Sequence, residues 1–401
     1  MRTSLQSRRI WFDRARHSAM PAVGTNVAAA LRHRSRHMKK AKVLVVDDAM
    51  LIRRMVTDIL AADPVIDVVG EAANGRIALQ KIAQLSPDLV TLDVEMPEMN
   101  GLQTLKEIRK SHPRLPVIMF SAVTERGAAD TLEALHYGAS DYVTKPTGAA
   151  GRETAQSRIR EDLVPKIKSL CRIAGGAPLV KANGTARAGT SFTLRALGPA
   201  ITADAVAISL STGGPQALGQ ILSKLPADFR APVMVVPHMA QMFTRFFAER
   251  LAAQTPLRVV EAEDGHAVEP GVVYVAPADF HLTVHKAGGA TTFALDQSAA
   301  LHAHRPSADV LLRSVAEAYG ARALGLVLTG MGRDGVAGCE DITGAGGRVI
   351  VQDEATSVVW ETAGLVARAG LADAVLPLDA IATELTRRTA RSAAAGDRGA
   401  A

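Results

Sequence analysis

Ser209 and Ser211 stand two residues apart in "AISLSTGGP", residues 207–215, at the end of an apolar run and just before two glycines and a proline. A serine where a strand passes into a helix can serve as a nucleophile. Gly213 and Gly214 let the backbone turn tightly, and Pro215 suits the first helical position. The free N–H groups and positive end of that helix would stabilise a developing oxyanion. A plain helix-capping serine fits the same stretch. Alternation along the strand does not separate the two serines, which face one side. Position favours Ser211, which abuts the turn. A serine nucleophile needs a base. His238 follows the next apolar run in "VVPHM", with His281, His285, His302 and His304 as competitors. Consecutive strands usually neighbour each other, which favours His238. Asp334 lies in glycine-rich "LTGMGRDG" after a later apolar run and could hold the histidine in its working tautomer. That loop lacks the Lys-Ser/Thr of a P-loop and the full spacing of a dinucleotide fingerprint. The order Ser–His–Asp also differs from the Ser–acid–His of common α/β-hydrolases.

A second constellation precedes it. Asp47 and Asp48 end the run "KVLVVDD", Asp93 ends "DLVTLD", Ser121 ends "PVIMFS" and Lys145 ends "DYVTK". Three crowded carboxylates raise one another's pKa unless a cation joins them. A hard divalent ion such as Mg²⁺ suits such oxygen ligands, and Lys145 and the Ser121 hydroxyl suit an incoming phosphoryl group.

The elements that must position these residues alternate. Five strand-like runs between residues 42 and 146 are separated by helical stretches at about 51–61, 75–85, 101–110 and 125–136, with a further helix at 153–173. This implies a parallel sheet with helices on both faces and a functional crevice at the strands' carboxyl ends. Residues 174–203 are rich in Gly, Ala and Thr without a period and read as a linker. A second α/β region follows. Its helices are expected at about 215–225, 243–253, 307–319 and 356–369, with antiparallel hairpin character near 272–296.

Composition bounds the partners. The 401 residues, 48% hydrophobic and 21% charged, suit two or three globular domains. No apolar run approaches the ~20 residues of a membrane span, so no membrane insertion is expected. Cys171 and Cys339 lack metal-ligand spacing and read as unpaired thiols of a reducing compartment. Ten of the 46 Lys and Arg and one of the 40 acids fall in residues 1–40, so that leader carries +9 and the rest of the chain −3. A nucleic-acid surface on the folded body is therefore not indicated. "MKKAKVLVVDD", from Met38, reads as a natural beginning, so the preceding 37 residues are expected to be a misassigned start or a disordered arm.

These motifs carry a resemblance. "VLVVDDAMLIRRM", "LDVEMPEMNGL", "MFSA" and "DYVTKP" resemble a response-regulator receiver domain over residues 41–174. "SLSTGGP", "VPHM", "YVAPADFHL", "HRPSADVLLRSVAEAYG", "VLTGMGRDG" and "QDEATSVVW" resemble the catalytic domain of the chemotaxis protein-glutamate methylesterases, the CheB family, over 203–387. The implied organisation is a basic leader at 1–40, the receiver, a linker at 175–202, the methylesterase domain and a disordered tail at 388–401. The implied folds are a flavodoxin-like receiver with a five-stranded parallel sheet and an α/β domain with a doubly wound, mostly parallel sheet. The resemblance implies Asp93 as the phosphorylated residue. It implies Mg²⁺ on Asp48, Asp93 and the Glu95 backbone carbonyl, with Asp47 acting through water. Ser121 and Tyr142 would be the switch pair, Lys145 the phosphate partner, and the bond before Pro146 cis. It further implies Ser211 as nucleophile, His238 as general base and acid, Asp334 as orienting acid and the Met331 amide as oxyanion donor. No cofactor is implied for hydrolysis itself. The implied activity is demethylation of glutamyl methyl esters and deamidation of glutamines on the cytoplasmic helices of chemoreceptors. A histidine kinase would be the phosphodonor, and the protein would be a cytoplasmic monomer. Three positions depart from the family pattern: Ser209 and Leu210 stand in a stretch that usually reads Gly-Ala, and Ala303 where arginine is common. A positive φ at 209 would cost a non-glycine about 1–2 kcal/mol. These departures motivate a rival reading, a receiver-controlled binding protein with an inactive esterase-like output domain.

Overall fold

The structure is a computed structural model that describes residues 40–146, 151–173, 194–195 and 202–390. The expected leader at 1–40, apart from Lys40, lies outside the described residues. So do the expected linker at 175–202, apart from residues 194, 195 and 202, and the end of the expected tail from 391.

The first half holds β1 (Ala41–Val46), β2 (Ile66–Ala72), β3 (Leu89–Asp93), β4 (Val117–Ser121) and β5 (Asp141–Thr144). They alternate with α1 (Met50–Ala61), α2 (Gly75–Leu85), α3 (Gly101–Ser111) and α4 (Glu125–His136), and α5 (Arg152–Cys171) follows. The strands pair in parallel in the order β2-β1-β3-β4-β5. Every residue of β3 and β4 is buried, as expected for strands covered on both faces. The strand order reverses between β1 and β3. The carboxyl ends of those two strands deliver Asp47 and Asp93 to the crevice that such a reversal opens.

The second half is built on β6 (Ala205–Leu210), α6 (Gly214–Leu222), β7 (Val233–Pro237), α7 (Phe243–Ala252), β8 (Arg258–Glu261) and β9 (Val272–Val275). The antiparallel hairpin β10 (His281–Ala287) and β11 (Ala290–Asp296) comes next, followed by α8 (Ala308–Tyr319), β12 (Ala323–Val327), α9 (Val336–Gly344) and β13 (Arg348–Gln352). The chain then forms α10 (Thr362–Arg368), β14 (Ala374–Leu376) and α11 (Leu378–Thr389). Seven strands form one parallel sheet in the order β14-β13-β12-β6-β7-β9-β8. The reversal here falls between β12 and β6, so the loops after those strands face each other. One buried cluster packs α6, α7 and α11 on one side of the sheet, and another packs α8, α9 and α10 on the other.

Several expectations need correction. The hairpin is confined to 281–296, because β9 pairs in parallel with β7 and β8 inside the main sheet. The helix expected at 356–369 shortens to α10. Asp353 holds the preceding residues in a turn, accepting Thr356 N at 2.9 Å on Oδ1 and the Ser357 hydroxyl at 2.6 Å on its carbonyl. Helix α11 runs two residues into the stretch expected as tail, its last turn tied by Arg388 to Glu384 at 2.6 Å and Thr389 Oγ1 to the Leu385 carbonyl at 2.9 Å.

The two halves meet through buried side chains. A single hydrophobic cluster includes Leu132, Leu135 and Tyr142 of the first half and Leu210, Phe243, Phe247 and Leu251 of the second. Among the described residues, no helix is long and apolar enough to cross a membrane.

Candidate active site and phospho-acceptor pocket

Ser211 follows β6 directly, and its amide donates to the Thr329 carbonyl at 3.2 Å, which fixes the start of the turn. Gly213 adopts φ +77°, and a Cβ there would meet Val358 Cγ2 at 2.6 Å, so both backbone and space demand glycine. A Cβ on Gly330 would lie 2.9 Å from Ser211 Cβ, which shows how closely the loop after β12 approaches the serine. Ser209 is not at positive φ. It lies within β6, paired with Val236 and Val327, so the strain expected for a non-glycine does not arise. Leu210 is buried, and its Cβ is where a Cβ on Gly214 would collide, at 2.6 Å. Ala303, by contrast, does take a positive φ, 65°, in an exposed turn.

His238 follows β7, and its amide donates to the Leu210 carbonyl at 3.3 Å, which brings it to the serine's side of the rim. Its Nε2 is 2.7 Å from Asp334 Oδ2. Its Nδ1 is buried with no hydrogen-bond partner among the described residues. A ring that gives Nε2–H to an acid keeps the Nδ1 lone pair free, so Nδ1 is the basic atom. This is the reverse of the ring orientation in the chymotrypsin template. Ser211 and His238 line one cavity of about 20 Å³.

Asp334 sits on the N-terminus of α8. Its Oδ1 accepts the Ser307 hydroxyl at 2.6 Å and Asp309 N at 3.1 Å, and its Oδ2 accepts Ala308 N at 2.7 Å. Burial alone would raise its pKa, but the bonds from His238, Ser307 and Ala308 outweigh it and hold the carboxyl below the ordinary range. Asp309 returns the favour to α9, accepting Gly335 N at 2.8 Å and Gly338 N at 2.7 Å. Each acid thus caps the helix next to the other. Sequence reasoning passed over Ser307 and Asp309, although "PSAD" is a helix-start signal. The Met331 amide donates to no described residue.

The competing histidines have other partners. His281 accepts Ser307 N on Nδ1 at 3.2 Å and gives Nε2–H to the Ala299 carbonyl at 3.2 Å. His285 bonds Thr283 Oγ1 at 3.0 Å, and His302 Nε2 lies 3.2 Å from Asp309 Oδ2. His304 stacks on His238.

In the first half, Asp47, Asp48 and Asp93 present carboxylate oxygens within 4.8 Å of one another. Lys145 Nζ is 2.9 Å from Asp47 and 2.8 Å from Asp93. Burial and then the Asp47 charge push Asp93 up to about 6 despite Lys145. Among the described residues Asp93 Oδ2 is buried without a hydrogen-bond partner, as an oxygen kept for a cation would be. Glu95 N donates to Asp93 Oδ1 at 3.3 Å. The bond before Pro146 is not cis, and Lys145 reaches both acids without it. Ser121 Oγ does not turn to the acids, because the first turn of α4 engages it through the Gly127 carbonyl at 3.0 Å.

Tyr142 links the two sites. Its ring stacks on Phe243 with centres 4.5 Å apart, and its hydroxyl accepts Ala240 N at 2.9 Å, two residues beyond His238. Beside it, the Thr212 hydroxyl donates to Asp141 Oδ2, and the Gln216 amide donates to the Leu135 and Ala139 carbonyls. Lys166 of α5 pairs with Asp162 at 2.8 Å and Asp141 at 3.5 Å. Ser140, Asp141, Tyr142 and Lys166 therefore wall the cavity beside Ser211. It holds about one water, and no ester substrate fits.

A family model described as CheB methylesterase matches residues 206–385, and one described as response regulator receiver domain matches 43–153. A protein-glutamate methylesterase/protein-glutamine glutaminase of Trichodesmium erythraeum is 47% identical over 88% of this chain and 99% of that protein. One of that name from Nocardioides sp. is 48% identical over 88% of this chain and 97% of its own. The crystal structure of the Thermotoga maritima CheB methylesterase catalytic domain, 42% identical, covers 47% of this chain and 99% of that chain with a TM-score of 0.46.

Proposed function

The chain belongs to the CheB methylesterase family in its form with a receiver domain, and from that premise we propose that it is a phosphorylation-controlled protein-glutamate methylesterase and protein-glutamine glutaminase acting on chemoreceptors. The observation that carries the reading is the pair His238–Asp334 at 2.7 Å, with His238 Nδ1 left without a hydrogen-bond partner among the described residues and Ser211 and His238 lining one cavity.

In this reading Ser211 Oγ attacks the γ-carbonyl of the substrate side chain while His238 Nδ1 takes its proton. Asp334, kept ionised, balances the imidazolium through Nε2–H. The Met331 amide donates to the oxyanion. The tetrahedral adduct collapses as His238 returns the proton to the departing methoxide, giving methanol, or to the departing amine of a glutamine, giving ammonia. Water activated by His238 then cleaves the acyl-serine ester and leaves a glutamate.

Control is assigned to Asp93 as the phosphorylated residue. The orphaned Asp93 Oδ2 and the crowded acids fit a divalent cation, so Asp48, Asp93 and the Glu95 carbonyl would hold Mg²⁺, with Asp47 near it. When bound, Mg²⁺ offsets the negative charge of the acceptor and the incoming phosphoryl group. Lys145 pairs with that phosphoryl group, and Ser121 must leave Gly127 to reach it. Such a rotation opens the side of β5 on which Tyr142 packs, and release of Tyr142, Asp141 and Lys166 uncovers Ser211. A histidine kinase as phosphodonor and a cytoplasmic location follow from the same reading.

Methanol release from a methylated receptor, with and without acetyl phosphate and Mg²⁺, tests both parts. No release in either condition refutes the esterase. Equal release in both refutes control by the receiver.

A further inference from the structure

His304 lies face to face with His238, the ring centres 4.0 Å apart and the planes within 6° of parallel. Its backbone is tied in a tight turn, with Leu301 N donating to its carbonyl at 3.1 Å and its own N–H donating to the Leu301 carbonyl at 2.9 Å. Three to five residues further on, Ser307, Ala308 and Asp309 supply three donors to Asp334 beside His238 itself. The segment 304–309 thus grips the base with one side chain and its acid with the next turn.

The base needs such a grip. The torsion that sets a histidine ring plane is soft. The bond from Nε2 to Asp334 fixes one ring atom but allows the ring to swing about it. Any swing changes where Nδ1 points, and small misplacements of a reacting group are costly.

We infer that His304 is a positioning residue for His238: its ring face sets the plane of the catalytic imidazole and aims Nδ1 at Ser211. The inference rests on the serine-hydrolase reading. Burial and then the neighbouring His238 push His304 down to about 4, so at ordinary pH it presents a neutral face rather than a second charge. A neutral π face also tolerates the imidazolium that forms on His238 during proton transfer. The role thus requires a flat, uncharged ring and no proton exchange by His304 itself.

Phenylalanine retains the face and alanine removes it. The full chain, activated with acetyl phosphate and Mg²⁺, is labelled at Ser211 with a fluorophosphonate, and the labelling rate is followed by mass spectrometry beside thermal unfolding. His304→Ala is expected to label at least ~10-fold more slowly and His304→Phe within about threefold of wild type, both at nearly unchanged Tm. In methanol release the alanine variant should lose kcat with little change in KM. Should His304→Ala fail to fold, His304→Leu, which fills the space without a ring face, takes its place. Wild-type labelling rates in the alanine or leucine variant overturn the inference, as does a folded phenylalanine variant as slow as alanine. A wild-type chain that does not label at Ser211 refutes the hydrolase reading itself.

Discussion

Replacing Asp141 by alanine should unlock the enzyme without phosphorylation. Asp141 belongs to β5 of the receiver, and its Oδ2 accepts the hydroxyl of Thr212, the residue after Ser211. Both side chains are buried. A hydrogen bond to a charged group contributes about 1.5–3 kcal/mol. The variant leaves the Thr212 hydroxyl unsatisfied only while the domains are closed, because water reaches it once they part. The whole loss therefore falls on the closed state and shifts the closed-to-open ratio by about 10- to 150-fold. Lys166 keeps its partner Asp162 at 2.8 Å, so the substitution does not strand a buried cation. Methanol release by Asp141→Ala without phosphodonor should rise by at least ~10-fold, and the further gain on adding acetyl phosphate should shrink accordingly. An unchanged basal rate with an unchanged stimulation would show that the Thr212–Asp141 bond does not hold the domains together.

Ser307→Ala removes the 2.6 Å hydroxyl bond to Asp334 and should lower kcat by about tenfold with little change in KM, as steady-state methanol release would show. Gly213→Ala forces a side chain onto a φ of +77° and into Val358, so a clear fall in Tm and loss of Ser211 labelling are expected together. Asp93, pushed up to about 6, binds its proton more tightly folded than unfolded. Without Mg²⁺ its ionisation costs about 3 kcal/mol of stability, absent below pH ~4 and complete above pH ~7, which Asp93→Asn should recover in denaturant titrations at pH 7. The same proton competes with the metal, so Mg²⁺ affinity measured by calorimetry should be about tenfold weaker at pH 5 than at pH 7.

Much of the fold was legible because its signals are local. Short apolar runs ending in acids, as at Asp47 and Asp93, mark parallel strands whose ends share a rim. "STGGP" marks a strand-to-helix turn within five residues. Helix α9 escaped notice because Gly338 and Gly344 mask its pattern, and β14 because three half-buried residues carry no period. The serine, base and acid were each visible as candidates, but five histidines could not be ranked by spacing alone.

The sequence by itself determined which residue types stand at the strand ends, and so which chemistries the two rims can host. Strand polarity and turn chemistry are properties of neighbouring residues. Only the tertiary structure decided which atom does what. It turned His238 so that Nε2 meets an acid 96 positions away. It seated that acid on the N-terminus of α8 and engaged Ser121 with α4 rather than the acids. It set Asp141 and Tyr142 against Thr212 and Ala240, across 71 and 98 positions. These outcomes depend on ring orientation, rotamer and burial, which arise when distant segments pack and leave no period in the chain.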